Sequence, residues 1–353
     1  MKLITIIGAR PQFIKAATVS RKIKDYPEIE EIILHTGQHY DKNINEIFFE
    51  ELNIPEPKYN LNVGSGQHGA QTAKMISQIE QILMDEKPDC VLVYGDTNST
   101  IAGALAAVKI HIPVAHVEAG LRSFNRAMPE EINRIVTDAV SDMLLAPTQN
   151  AVVQLQKEGR EAFTWFTGDV MYDSVIYYKS KILKNEKPEV IQDIANYYLC
   201  TIHRAENTDN PDHLRSIFKA ISLMNKTVIL PLHPRTKHIL KNLEIEIPDN
   251  LKIIEPVGYM DMLTLLLHTE KMITDSGGVQ KEAYFLQKPC ITLRNETEWI
   301  ETLDHNWNIL CGTDTEKIIS AINETCGEQS NLQAFGDGNA AEKIIKLILE
   351  RIK

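Results

Sequence analysis

Nineteen residues of this chain, "HVEAGLRSFNRAMPEEINR" from His116 to Arg134, hold three glutamates, three arginines and a histidine directly after an apolar run. Carboxylates gathered at one place can divide into a proton acceptor and a proton donor, because like charges held together raise the proton affinity of at least one of them. If a helix starts at Pro129, Glu130 and Arg134 stand four apart on one face, while Glu131 points elsewhere as scaffold. Glu118 closes the preceding apolar run, and Asp96 closes another in "YGDTNST". Asp96 either caps the helix that begins near Asn98 or joins the proton-transfer group. With both in place, Asp96, Glu118 and Glu130 are expected at one rim beside Arg122, Arg126 and Arg134.

A second set of residues suits phosphate. In "TDSGGVQKEA", Ser276, Gly277 and Gly278 stand between an apolar run and a helical pattern, where free backbone N–H groups converge on an anion. Glu282, one to two turns further on, can accept from ribose hydroxyls, so the segment predicts a nucleotide diphosphate site. "IIGARPQFIK" lacks the further glycines of a dinucleotide fingerprint after Gly8, which argues against NAD, while Arg10 and Lys15 bracket a helix start as cationic anion binders. His203 and Arg204 in "YYLCTIHRAEN", then His233 and Arg235 in "LHPRT", repeat the placement of polar residues just after an apolar run. No His, Cys and carboxylate set has metal-site spacing, so no metal is expected.

The elements that must carry these residues follow from the hydrophobic pattern. Apolar, β-branched runs ("LITIIG", "EIILHT", "CVLVYG", "PVAHV", "MLLAP", then "YYLCTIH", "TVILPL", "LKIIEP", "KMITDS", "PCITL") alternate with helical periodicity at 41–53, 69–85, 99–110, 130–141, 150–159, 211–223, 259–268, 278–286, 314–325 and 338–352. Such alternation predicts parallel sheets covered on both faces. At 353 residues two domains are expected: 1–168, and 169–337 beyond a pause in the pattern, with the helix 338–353 returning to the first domain. Ligands of open α/β sheets bind at the C-terminal ends of the strands, where these polar residues fall. A net charge of −11 disfavours general nucleic-acid or anionic-membrane binding. Five widely spaced cysteines with no CxxC pair, a short N-terminal apolar run and no membrane-length segment predict a cytoplasmic protein without disulfides.

The segments "GARPQFIK", "GQH", "YGDTNST", "HVEAGLRS", "MPEEINR", "TGDVMYDS", "HRAEN", "HPR" and "TDSGGVQKEA" together resemble the non-hydrolysing UDP-N-acetylglucosamine 2-epimerase family through essentially the whole chain. The resemblance implies the GT-B fold of two Rossmann-like domains, a homodimer, and interconversion of UDP-GlcNAc and UDP-ManNAc. It implies a catalytic group of Asp96, Glu118, Glu130, Arg134 and His203. Ligand binding then falls to Arg10, Lys15, His233, Arg235, Ser276, Gly277, Gly278 and Glu282, with Val257 and Met262 at the uracil. Inverting carbon 2 without NAD calls for elimination of UDP, a glycal with its double bond between carbons 1 and 2, and re-addition; no cofactor is implied.

Two segments depart from the family pattern. "NETEWIE" places Trp299 where "TERPE" has arginine, and Tyr40 in "GQHY" replaces the arginine of "QHR", which speaks against activation by a second UDP-GlcNAc. "GARPQFIKAA" with "TEW" is more similar to the branch acting on UDP-2,3-diacetamido-2,3-dideoxyglucuronic acid. A GT-B glycosyltransferase, an inactive UDP-sugar-binding protein and a hydrolysing 2-epimerase are the alternatives. The first two would keep the Ser276 to Glu282 segment without requiring Asp96, Glu118 and Glu130 together.

Overall fold

A computed structural model describes residues 1–38, 49, 51–183, 188–194, 196–232, 234–327 and 330–352, without the side chains of 234 and 235. His39, Tyr40 and most of the helical pattern 41–53 therefore lie outside the described residues. The chain divides into two compact units, Met1–Ile176 with Gln333–Lys353, and Tyr177–Leu332.

The first unit holds a seven-stranded sheet: β1 Lys2–Ile7, β2 Glu30–His35, β3 Tyr59–Asn60, β4 Cys90–Tyr94, β5 Val114–Val117, β6 Met143–Ala146 and β7 Thr164–Phe166. All neighbours are parallel, in the order β3-β2-β1-β4-β5-β6-β7. Ile4, Ile6, Val91 and Val93 pack against Met75, Ile79 and Leu83 of the helix His68–Glu86 and the alanines of the helix Asn98–Lys109. Each such aliphatic side chain taken out of water contributes about 1.5–3 kcal/mol. The small side chains of Asn98–Lys109 allow close approach to the sheet: a Cβ at Gly103 would stand 2.8 Å from Ile6 Cδ1.

The second unit is a six-stranded parallel sheet in the order β10-β9-β8-β11-β12-β13. Its strands are β8 Tyr197–Thr201, β9 Thr227–Pro231, β10 Leu251–Ile254, β11 Lys271–Thr274, β12 Cys290–Thr292 and β13 Asn308–Leu310. Leu214, Ile217, Phe218 and Ile221 of the helix Pro211–Ser222 and Ile318 and Ile322 of the helix Thr315–Asn323 share its core. Both sheets reverse winding direction beside their first strand, between β1 and β4 and between β8 and β11. These are two Rossmann-like units, the parts of the GT-B fold expected above.

The division falls at 176/177, inside the helix Val170–Ile182 that the sequence pattern read as a pause, and not at 168. The return segment explains the difference, because it holds the start of that helix to the first unit. Asp169 N–H donates to Phe335 O at 2.9 Å, and the backbones of Gly168 and Gly336 run so close that a Cβ at Gly168 would meet Gly336 Cα at 3.2 Å. Asp173 then accepts from the N–H groups of Ala340 (3.1 Å) and Ala341 (2.9 Å), the first residues of the helix Ala340–Arg351. Ile344, Ile345 and Ile348 of that helix are buried, and its last turn sets Arg351 over the Trp165 ring.

Burial pushes the Asp173 carboxyl up to about 6, against the pull of those two N–H groups. A carboxyl raised on folding stabilises while protonated, and that contribution is lost as pH rises from about 4 through about 6. Asp173→Asn should therefore gain on the wild type by about 2–3 kcal/mol between pH 4 and pH 7, read from urea unfolding at both pH values. An equal difference at the two pH values would contradict this.

Candidate active site

In the first unit the polar residues expected to do chemistry do stand at the ends of β1, β4 and β5. The helix Arg10–Ile23 starts immediately after β1 with Pro11 in its first turn. Ala9 at its N-cap has no polar side chain, and Gln12 supplies the missing bonds. Its Oε1 accepts from Gly8 N (2.8 Å) and Ala9 N (3.1 Å), while its Nε2 donates to Tyr94 O (3.0 Å) and Thr100 Oγ1 (3.1 Å). Gln12 thus ties the turn after β1 to the turn after β4. Gly8 is required for space, since a Cβ there would lie 2.0 Å from Thr36 Oγ1 and 2.2 Å from Ser99 Oγ.

Asp96 does not cap the following helix. Thr97 does so, accepting from Thr100 N, and this leaves the Asp96 carboxylate to Arg134, whose Nε and Nη2 donate to one oxygen at 3.0 and 2.6 Å. Arg134 Nη1 donates to Glu131 at 2.7 Å, so Arg134 bridges Asp96 and Glu131. Glu130, half-buried in the first turn of the helix Pro129–Val140, has no ion pair among the described residues. Although Glu130 and Arg134 stand four apart, Arg134 pairs with Glu131, three residues away, and reaches inward to Asp96. Glu131 is a hub, its buried carboxylate also accepting from Ser123 N (2.9 Å), Ser123 Oγ (3.1 Å) and Phe124 N (2.9 Å). Burial acts to raise its carboxyl, but those N–H groups and Arg134 hold it below the usual range.

Glu118 follows β5 with φ +73°, an uncommon conformation for a residue bearing a side chain. It is buried and ion-paired with the buried Lys15, so Lys15 faces a carboxylate of its own unit. Arg10, the first helical residue, is exposed. Arg122 is not at the carboxylate rim: it is buried between Asp138 (2.7 Å) and Glu158 (2.6 Å), while Arg126 is exposed. Asp96 and Glu118 therefore each face a cation, in place of the like-charge crowding anticipated from the sequence.

In the second unit His203 follows β8, and Asp275 and Ser276 follow β11. Asp275, the carboxylate preceding the Ser-Gly-Gly turn, escaped the sequence reading although its position beside Ser276 could have singled it out. Wholly buried, it accepts from the backbone N–H groups of His203 (3.1 Å) and Arg204 (3.0 Å), from Asn207 Nδ2 (3.1 Å), and pairs with His203 Nδ1 at 3.1 Å. Burial works to raise its carboxyl, and the His203 ring and these N–H donors hold it below the usual range. His203 remains 58% exposed, anchored at one nitrogen. Ser276 caps the helix Gly277–Phe285, accepting from Val279 N, and Glu282 on that helix is buried.

The segment that departs from the family pattern lies against this turn. A Cβ at Gly277 would stand 2.5 Å from Glu298 Oε1 and 3.5 Å from Trp299 Nε1. Glu298 pairs with Arg294 at 3.0 Å, and Lys281, buried on the same helix, sets its ammonium 3.7 Å from the Trp299 ring centroid. Arg294 is buried, and its Nε and Nη1 have no acceptor among the described residues. Val257, half-buried, and Met262, buried, flank the start of the helix Tyr259–His268. His233 and the side chain of Arg235 lie outside the described residues. Among the described residues no His, Cys, Asp and Glu group is placed to hold a metal ion, and no helix is long and apolar enough to cross a membrane.

A family model described as UDP-N-acetylglucosamine 2-epimerase matches residues 21–349. A UDP-N-acetylglucosamine 2-epimerase homolog of Methanococcus maripaludis is 51% identical, and the UDP-2,3-diacetamido-2,3-dideoxy-D-glucuronate 2-epimerase of Pseudomonas aeruginosa is 47% identical, each over 99% of both chains. Among solved structures, Methanocaldococcus jannaschii UDP-GlcNAc 2-epimerase in complex with UDP-GlcNAc and UDP superposes with a TM-score of 0.92 at 45% identity, covering 99% of this chain and all of that one.

Glu131→Gln would turn an amide NH₂ toward the N–H donors its carboxylate now receives and would leave Arg134 with one anion fewer. Loss of about 3 kcal/mol is expected, the scale for breaking a buried ion pair, measured as the urea midpoint of the full chain. An unchanged midpoint would mean that other contacts hold the 123–124 turn.

Proposed function

The chain belongs to the UDP-N-acetylglucosamine 2-epimerase family and is a UDP-sugar 2-epimerase, and from that premise we propose that it inverts carbon 2 by eliminating UDP and adding it back. A base removes the proton from carbon 2 while the bonding pair of carbon 1 leaves with the UDP oxygen, giving a glycal. Protonation of carbon 2 on the opposite face and return of UDP to carbon 1 give the manno epimer. The observation that carries this reading is the pair of carboxylates Asp96 and Glu118 at neighbouring strand ends, each beside its own cation. They divide the acid and base roles, with Glu130 as the third carboxylate. Arg10, His203, His233, Arg235 and the Ser276-Gly277-Gly278 amides stabilise the diphosphate as it departs. Glu282 takes the ribose, and Val257 and Met262 the uracil.

UDP-2,3-diacetamido-2,3-dideoxyglucuronic acid is the favoured substrate, feeding surface-polysaccharide assembly. The name of the Pseudomonas aeruginosa relative supports this, as do the buried donors of Arg294, a cation suited to the carboxylate that distinguishes a uronic acid. UDP-GlcNAc is the second reading, favoured by what the Methanocaldococcus jannaschii structure contains.

Incubation with each UDP-sugar in deuterated water, without metal or NAD, should place deuterium at carbon 2 of a product that keeps its UDP linkage, followed by NMR. Asp96→Asn and Glu118→Gln should each slow exchange by about 10²–10⁴-fold. Absence of exchange with either sugar would defeat the elimination reading, and release of free sugar would favour a hydrolase.

A further inference from the structure

Beneath the two carboxylates lies a buried charge cluster that the chemistry above leaves unused. We propose that Asp138 and His116 are positioning residues that fix Asp96 and Glu118 relative to each other; the proposal rests on the reading that these two transfer protons. Asp138, on the helix Pro129–Val140, is buried, and its carboxylate accepts from three residues of one short stretch. These are His116 Nδ1 at 2.7 Å, Gly120 N at 3.1 Å and Arg122 Nη1 at 2.7 Å. Glu118 stands in the middle of that stretch at φ +73°, with its own N–H donating to Leu145 O at 3.1 Å. A conformation of this kind costs about 1–3 kcal/mol and persists where the surroundings over-determine it. Asp138 provides such surroundings on both sides of Glu118.

The other ring nitrogen of His116 reaches the second carboxylate's turn. His116 Nε2 lies 2.7 Å from Gly95 O, and Gly95 N donates to Val117 O at 3.0 Å, so both backbone groups of Gly95 are bound to the β5 strand. The next residue is Asp96. Gly95 turns at φ +62° where a Cβ would meet Lys15 Nζ at 3.1 Å and Glu118 Oε1 at 3.4 Å, so this turn passes directly against the Lys15–Glu118 pair. One imidazole thereby couples the strand that carries Glu118 to the turn that carries Asp96.

The hydrogen-bond chemistry fixes the state of that ring. A carbonyl oxygen only accepts, so His116 Nε2 carries a hydrogen; an ionised carboxylate only accepts, so Nδ1 carries one too. The Asp138 carboxyl is held below its usual range, burial being outweighed by His116 and Arg122. Arg122, paired with both Asp138 and Glu158, completes the cluster.

Two measurements on the full chain test this. Nitrogen NMR of histidine-labelled wild type at neutral pH should give N–H shifts for both ring nitrogens of His116, assigned by their loss in His116→Gln. In His116→Gln, and in Asp138→Asn, kcat per folded molecule should fall about 10–100-fold, the scale of an ångström's misplacement. KM and calorimetric UDP affinity should stay within about threefold of wild type, because the nucleotide contacts are untouched. A ring with one bare nitrogen, a retained kcat in folded His116→Gln, or kcat and UDP affinity falling in the same proportion would each overturn the proposal. A wild type that turns over neither sugar would instead defeat the functional reading beneath it.

Discussion

Parallel strands force every strand of a sheet to end on the same edge, and reversal of winding beside the first strand leaves a gap there that no connection crosses. Both units are organised around this constraint. In the first, the turn after β1 and the turn after β4 face each other across that gap and are stitched by Gln12; in the second, the turns after β8 and β11 are stitched by Asp275. Backbone N–H groups at such strand ends need acceptors. A buried side chain that satisfies several of them at once also sets the spacing of whatever is mounted on the two turns.

The same economy explains the charges. Glu131 and Asp138 sit on one helix, buried, and each binds the segment after β5: Glu131 accepts from the N–H groups of Ser123 and Phe124, and Asp138 from Gly120 N–H and the Arg122 guanidinium. A buried carboxylate costs several kcal/mol unless its lone pairs are filled, and here they are filled by the backbone that must be held still. The carboxylates proposed to react, Asp96 and Glu118, are paired with the cations Arg134 and Lys15.

How far the sequence foretold this depends on the range of the contacts involved. Strands buried on both faces read as continuous apolar runs, so ten strands were legible within a residue or two. The edge strands β3 and β7 and the three-residue β13 were not, since two or three residues carry no periodicity. The helix Val170–Ile182 was hidden because its Tyr- and Lys-rich stretch spans two units and shows no single apolar face. The positions of the proposed site residues were legible, as polar residues following apolar runs. Their partners were not: the spacing of Glu130, Glu131 and Arg134 allows either glutamate to pair, and the choice is made by Asp96, 38 residues upstream. Asp138 and Asp275 gave no sign beyond being carboxylates near a motif, because what marks them is burial.

The return of residues 333–351 to the first unit bears on how the chain is made. Asp169 bonds to Phe335, and Asp173 to Ala340 and Ala341, across more than 160 residues of intervening chain, so the helix Ala340–Arg351 is made after the part of the first unit that it closes. The second unit is contiguous and has all of its residues before the first has its closing helix. Synthesis therefore completes the unit with the Ser276-Gly277-Gly278 turn ahead of the one with Asp96 and Glu118. Until then, the face that receives Ile344, Ile345 and Ile348 must wait uncovered, a period in which a nascent chain depends on its chaperones.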